Sequence, residues 1–159
     1  MPVKYLSPAQ EARYAAFPEP LSTDDLARYA YLDATDRAVI ASLRADHTRL
    51  GYAVQLATVR CTGTFRANPA DVPAALVTTL AQQLAISPAN LLARYQGSGM
   101  RWLHTVDIRE RYGYVDYSDP QRKRRFLRWL FTRAWLGTER PSLLFERAVG
   151  WLRAEKVLL

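Results

Sequence analysis

Almost nothing in this sequence could build a reactive centre. Its 159 residues hold one cysteine, Cys61, and two histidines, His47 and His104, far apart along the chain. A single cysteine excludes an internal disulfide and fits a reducing compartment. A metal site wants clustered His, Cys, Asp or Glu, and the sequence offers no such cluster. A glycine-rich phosphate loop of the P-loop type is also missing. Cys61 falls on the inward stripe of a helix, where a thiol serves packing rather than nucleophilic attack. The Asp24-Asp25 pair reads as first-turn helix acids, not as metal ligands. No catalytic, cofactor-binding or metal-binding residue is therefore expected. No apolar run approaches the roughly 18 residues a membrane span requires, and the N-terminus, MPVKYLSPAQEARY, lacks an apolar signal core. The chain reads as soluble and intracellular.

Lysine is scarce as well: three stand against 19 arginines, in a chain of net charge +7. A GC-rich genome accounts for arginine over lysine, but not for the excess over Asp and Glu. Guanidinium groups bind phosphate bidentately and read guanine edges, so the excess points to nucleic acid. It is also uneven. Residues 41–67 carry Arg44, Arg49, Arg60 and Arg66 against Asp46 alone. Residues 94–133 carry ten basic groups against four acidic ones, and residues 67–93 have no basic residue at all. Two basic zones suggest two contact surfaces.

Helix start signals follow one another through the chain. Ser7-Pro8-Ala9-Gln10 is a capping box for a helix running to Phe17, which Pro18 and Pro20 end. Ser22-Thr23-Asp24-Asp25 opens a helix to about Tyr31, and Asp33 caps a third with Val39, Ile40 and Leu43 inward. A fourth, from about Thr48 to Cys61, turns Leu50, Ala53, Val54, Ala57 and Cys61 to one face. Thr62 to Ala70, with Gly63, Asn68 and Pro69, is the natural division between an N-terminal unit, 1–66, and a second unit, 67–159. Asp71 caps Val72 to Leu84, and Gln96 to Gly99 form a loop. A helix from Met100 ends at Gly113. Tyr112 to Tyr117 allows a short extended piece. Asp119-Pro120 starts a helix whose Phe126, Leu127, Leu130, Phe131, Ala134 and Trp135 make one continuous apolar stripe ended by Gly137. Leu144, Phe145, Ala148, Trp151 and Leu152 form the inward face of the last helix.

The strongest local pattern is Leu80 to Tyr95, LAQQLAISPANLLARY, which has helix-turn-helix spacing. Ala81, Leu84, Ile86 and Leu91 supply its packing positions, and Ala85 stands at the tight turn. Ser87 caps the second helix with Pro88 at its first position. That helix offers Asn90, Arg94 and Gln96 as readers, which is sparse. Arg101, His104, Thr105, Arg109 and Arg111 follow at helical spacing, with Trp102, Leu103 and Val106 inward, so this next helix shares or takes over the groove contact. Near the start of the fourth helix, His47 and Arg49 favour an anion at the positive end of the helix dipole. Arg122-Lys123-Arg124-Arg125 with Arg128 and Arg133 lies on a helix with no acidic i+4 partner after Asp119, a repulsion that phosphates would neutralise. The competing reading is a protein–protein module, dimerising or regulatory, in which Trp102, Trp129, Trp135 and Trp151 form an interface instead of a core.

Several ungapped segments resemble one family. YLSPAQEARYAAFPEPLSTDDLARYAYLDATD, RADHTRLGYAVQLATVRCTGTF, RWLHTVDIRERYGYVDYSDP, RRFLRWLFTRAW and ERPSLLFERAVGWLRAEKVLL are similar, in order, to the N-terminal region of Tn-three-family transposases. The resemblance implies an all-α fold of two tandem small bundles of helix-turn-helix type, like those of centromere protein B. It implies sequence-specific binding of double-stranded DNA at the transposon's terminal inverted repeats. The His47–Tyr52 motif, the Arg101–Arg111 helix and the Arg122–Arg128 run would be its DNA-facing positions. The DDE-type catalytic triad and its magnesium ions belong to the family's far C-terminal part, so this stretch carries no cofactor of its own. It reads as an excised domain of a cytoplasmic, nucleoid-associated bacterial protein, or a natural short relative, with dimerisation through the rest of the parent.

Overall fold

Eight α-helices follow one another through the described residues, 16–159, of the computed structural model. They are α1 (Thr23–Tyr29), α2 (Ala34–Ala41), α3 (Asp46–Thr62), α4 (Ala74–Leu84), α5 (Leu91–Gly97), α6 (Met100–Tyr112), α7 (Pro120–Leu136) and α8 (Pro141–Ala154). The all-helical class is the one expected. The helix expected over 7–17 has its start and body outside the described residues, and Ala16 and Phe17 at its end are not helical. No helix among the described residues is long and apolar enough to cross a membrane.

Most starts and stops follow from local chemistry. Ser22 with Asp25, and Asp33 with Asp36, close reciprocal capping boxes at α1 and α2. The Asp119 carboxylate accepts from the Arg122 N–H at 2.8 Å, with Pro120 at the first position of α7. Gly63 and Gly113 take left-handed backbone at the ends of α3 and α6.

α3 is the centre of the molecule. Leu50, Ala53, Val54, Ala57 and Cys61 are buried as expected, but so is every other residue from Leu50 to Val59. Five neighbours, α1, α2, α4, α5 and α6, pack around it. A helix enclosed on all sides needs no single apolar stripe. Close approach depends on Gly51, where a Cβ would overlap the ring of Tyr95 from α5.

Four expectations fail, each for a local reason. Pro73 holds Val72 out of helical backbone, so α4 starts at Ala74 with Pro73 as its cap, and Asp71 caps nothing. α5 starts at Leu91 instead of Pro88: the Leu91 N–H bonds the Pro88 carbonyl at 3.2 Å, and Asn90 adopts φ 57°. Asn tolerates that left-handed turn, which leaves Ser87 without a capping role. On α6 the buried side chains are His104 and Ile108, while Trp102 and Leu103 are exposed, because polar partners on α3 and α5 set its rotation. On α7 only Phe126 is buried and Leu130 half-buried; Leu127, Phe131, Ala134 and Trp135 face outward. The short extended piece is a single parallel bridge, Val115 with Val157.

Buried residues from both sides of segment 62–70 share a cluster. Leu32, Ile40 and Leu50 share that cluster with Leu76, Leu80 and Ile108. A smaller cluster joins Phe126, Ala148, Leu152 and Val157. Asp36, wholly buried, ties the larger cluster together. It accepts two bonds from the Arg60 guanidinium, at 2.9 and 3.0 Å, and one from the Tyr112 hydroxyl at 2.6 Å. Burial pushes its carboxyl up, but the bonds from Arg60 and Tyr112 and the Arg60 charge outweigh it and hold the group below the usual range.

Gly51→Ala should destabilise the protein, because overpacking costs about 1–3 kcal/mol and exceeds the roughly 1 kcal/mol gained in helix propensity. Gly150→Ala in α8, where a Cβ meets nothing within 4 Å, should stabilise it. Urea denaturation reads both, and shifts of the same sign would contradict the packing described. In the same assay Asp36→Ala should lose about 3 kcal/mol, since it strands Arg60 without its partner; a loss under about 1 kcal/mol, typical of exposed pairs, would deny Asp36 its role.

Candidate nucleic-acid interface

α5 has seven residues, too few for a helix to hold itself, so tertiary contacts must fix its orientation. Tyr95 supplies them. Its buried ring sits against Gly51, and its hydroxyl accepts from Gln55 Nε2 of α3 and shares a 2.8 Å hydrogen bond with His104 Nδ1 of α6. Gln55 Nε2 also donates to the Arg101 carbonyl at 3.2 Å, and its Oε1 accepts from the Thr105 hydroxyl at 2.8 Å. One buried amide thus locks the corner between α5 and α6 onto the central helix. With Tyr95 pointing in, Arg94 and Gln96 point out, since neighbours on a helix diverge by about 100°.

Of the expected base readers, Asn90, Arg94 and Arg101 are exposed at this corner. The side chains of His104 and Thr105 are engaged inside the protein. His104 is buried, stacked on Tyr95 with centroids 5.4 Å apart and edge-on to Tyr52 at 5.2 Å. Thr105 spends its hydroxyl on Gln55 and the Arg101 carbonyl. Both position the corner from inside. Gln55 and Tyr95 were not among the expected site residues. A lone amide inside the otherwise apolar Tyr52–Ala57 stretch was the available signal for Gln55, because a buried polar group requires partners.

The cationic side chains fall into two sets. Arg49 donates to the Leu43 carbonyl at 2.7 Å and pairs with Asp46 at 3.5 Å, fastening the turn before α3. Arg109 pairs with Asp116, and Arg111 grips Asp107 at 2.9 and 3.2 Å. Arg111 in turn holds the Asp107 carboxyl below its usual range, helped by a 2.6 Å bond from the Tyr52 hydroxyl against the effect of burial. Arg122 and Arg125 both pair with Glu155 at the end of α8. The run expected to lack acidic i+4 partners therefore has two carboxylates: Glu155, from a distant part of the chain, and Glu139, 3.4 Å from Arg133. The second set has no ion pair among the described residues: Arg44 in the turn before α3, Arg94 on α5, Arg101 on α6, and Lys123, Arg124 and Arg128 on α7, all exposed. His47 is half-buried in the first turn of α3, whose N-terminus has no side-chain cap.

Burial keeps His104 below the usual histidine range, opposed in part by the charge of Asp107. The unfolded chain takes up this proton near pH 6.5, the folded one only at lower pH. The unfolded state therefore binds more protons in that window, and stability must fall as pH drops from about 6.5. The carboxylates of Asp36 and Asp107 are held low and lose their contribution in a more acidic range. Denaturant titrations at about pH 7.5, 6.5 and 5.5 should show the decline, and His104→Gln should flatten it. An unchanged slope in the variant would assign the decline to other groups.

The family model described as "Domain of unknown function (DUF4158)" matches residues 5–159. The chain is 40% identical over 161 residues to the transposase for transposon gamma-delta of Escherichia coli (strain K12), covering 100% of this chain and 16% of that relative. It is 27% identical over 156 residues to the transposase for transposon Tn1546 of Enterococcus faecium, covering 97% and 15%. It is 31% identical over 104 residues to the transposase for transposon Tn501 of Pseudomonas aeruginosa, covering 65% and 10%. The chain thus spans about one-sixth of the length of the first two curated relatives, at their N-terminal end. It belongs to the DUF4158 domain family, in the form that stands at the N-terminus of Tn-three-family transposases.

Proposed function

We propose that this domain binds double-stranded DNA, with the terminal inverted repeats of its transposon as the specific target. The observation that carries the reading is the unpaired set of cations: Arg44, Arg94, Arg101, Lys123, Arg124 and Arg128 stay exposed while nearby arginines are consumed by carboxylates. Unpaired guanidinium groups repel one another unless a polyanion covers them. Arg94 and Arg101, beside Asn90 on a corner fixed from within, are suited to reading base edges. Lys123, Arg124 and Arg128 on α7 are suited to phosphates, as are Arg44 and His47 at the uncapped start of α3. This reading has two contact regions, one around α3, α5 and α6 and one on α7. Arg109, Arg111, Arg122 and Arg125 would reach DNA only by giving up an ion pair.

The test is competition binding of the chain to an inverted-repeat duplex and to a scrambled duplex across a salt series. Arg94→Ala or Arg101→Ala should cost about 1–3 kcal/mol on the specific duplex and far less on the scrambled one. Replacing Lys123, Arg124 and Arg128 by Ala should weaken both duplexes alike and lower the salt slope by about 0.9 per lost phosphate contact. Equal affinity for the two duplexes would end the claim of specificity, and a flat salt response would end the claim of DNA binding.

A further inference from the structure

α7 carries Phe126, Leu127, Trp129, Leu130, Phe131 and Trp135 around more than one face, yet among the described residues α8 is the one helix packed closely against it. Phe126, Trp129 and Leu130 face α8. The same apolar arc continues through Leu127, Phe131 and Trp135, whose exposures are 49, 67 and 78%, and Phe131 stacks on Trp135 with centroids 5.8 Å apart. Beside it opens a groove of roughly 800 Å³ walled by both helices, among them Leu130, Leu144, Phe145 and Val149. The other side chains that line it, Tyr117 aside, are apolar. A two-helix hairpin cannot enclose a core, and an arc this wide calls for another layer.

We propose that this surface seats an amphipathic helix, apolar on one face and acidic along its flanks, supplied by the polypeptide that follows this domain in the full-length transposase. Charge selects that occupant. Lys123, Arg124 and Arg128 on α7 and Arg140 at the start of α8 stand beside the apolar surface without a carboxylate partner. A second copy of the hairpin would set these cations against themselves. A DNA duplex would find no phosphate donors inside the groove, whose walls are hydrocarbon and aromatic rings. An acidic-flanked helix satisfies both the groove and its rim. The relatives provide the length, since about five-sixths of each lies beyond the region matched. Leu158 and Leu159 also line the groove.

Thiol labelling tests the proposal, because the native Cys61 is buried with its thiol pushed up to about 11 and stays unreactive. Trp135→Cys, Leu127→Cys and, as an outer-face reference on α8, Glu146→Cys are made in the 159-residue chain and in the full-length transposase, and maleimide uptake is followed by peptide mass. In the full-length protein, positions 135 and 127 should react about tenfold or more slowly than in the shorter chain, since only transient opening would expose them, while position 146 keeps its rate. Equal rates at 135 and 127 in the two proteins would overturn the proposal, as would equal protection of all three positions. Protection that grows with concentration of the 159-residue chain would overturn it in favour of self-association. Protection on adding an inverted-repeat duplex to that chain would overturn it in favour of DNA.

Discussion

The ring of Tyr95 rests against the backbone of α3 where Gly51 offers no Cβ, and much of the molecular surface takes its direction from that contact. α5 is held by its neighbours rather than by its own hydrogen bonds. Once Tyr95 is inside, its hydroxyl lies between Gln55 and His104, and the start of α6 is tied to the same amide through the Arg101 carbonyl and Thr105. Arg94 and Arg101 leave the protein from two adjacent helices whose relative placement is set in one buried polar cluster. A reading surface requires such pre-organisation, because flexible guanidinium groups on a loose corner would lose most of their pairing energy to ordering.

Arginine does two jobs in this chain. Arg60 and Arg49 act as internal fasteners, one gripping Asp36 and one the Leu43 carbonyl. Arg122 and Arg125 converge on Glu155 and so brace α7 against the end of α8. The remaining cations of α7 cannot reach that carboxylate. Basic density counted along the sequence therefore overstates what is free to meet a ligand. The charge that matters is what remains after the fold has used its share, and on α7 that remainder points away from the braced face.

How far the chain could be read in advance varies with the range of the interaction concerned. Capping boxes at Ser22 and Asp33, the Asp119-Pro120 start and the glycine stops at 63 and 113 were visible because three or four adjacent residues decide them. The starts of α4 and α5 were misplaced where proline geometry and a left-handed Asn90 outcompeted a side-chain cap. The rotation of α6 was invisible: hydropathy favoured Trp102 and Leu103 for the inside, but hydrogen bonds to Tyr95 and Gln55 across 9 and 50 residues put His104 and Thr105 there. Glu155 neutralising Arg122 across 33 residues is the same kind of event. Asn90 and Arg94 were readable as exposed because a short helix with one large inward residue leaves its neighbours outside.

Trp135 and Phe131 bear on both readings of the chain. Of the aromatic residues that suggested an interface, Trp129 and Trp135 lie on α7 with the cations Lys123, Arg124 and Arg128, so an acidic helix seated there and DNA phosphates would compete for those cations. Lys123, Arg124 and Arg128 occupy its N-terminal half, while Phe131, Trp135 and Leu136 occupy its C-terminal half. The hairpin is joined to the rest of the chain by little backbone pairing, chiefly the Val115–Val157 bridge and the bond from the Leu159 N–H to the Gly63 carbonyl at 3.0 Å. The pairs of Arg122 and Arg125 with Glu155 and the burial of Phe126 already fix the basic half of α7, so a partner that covered Phe131 and Trp135 would extend a helix whose cations are aimed without it.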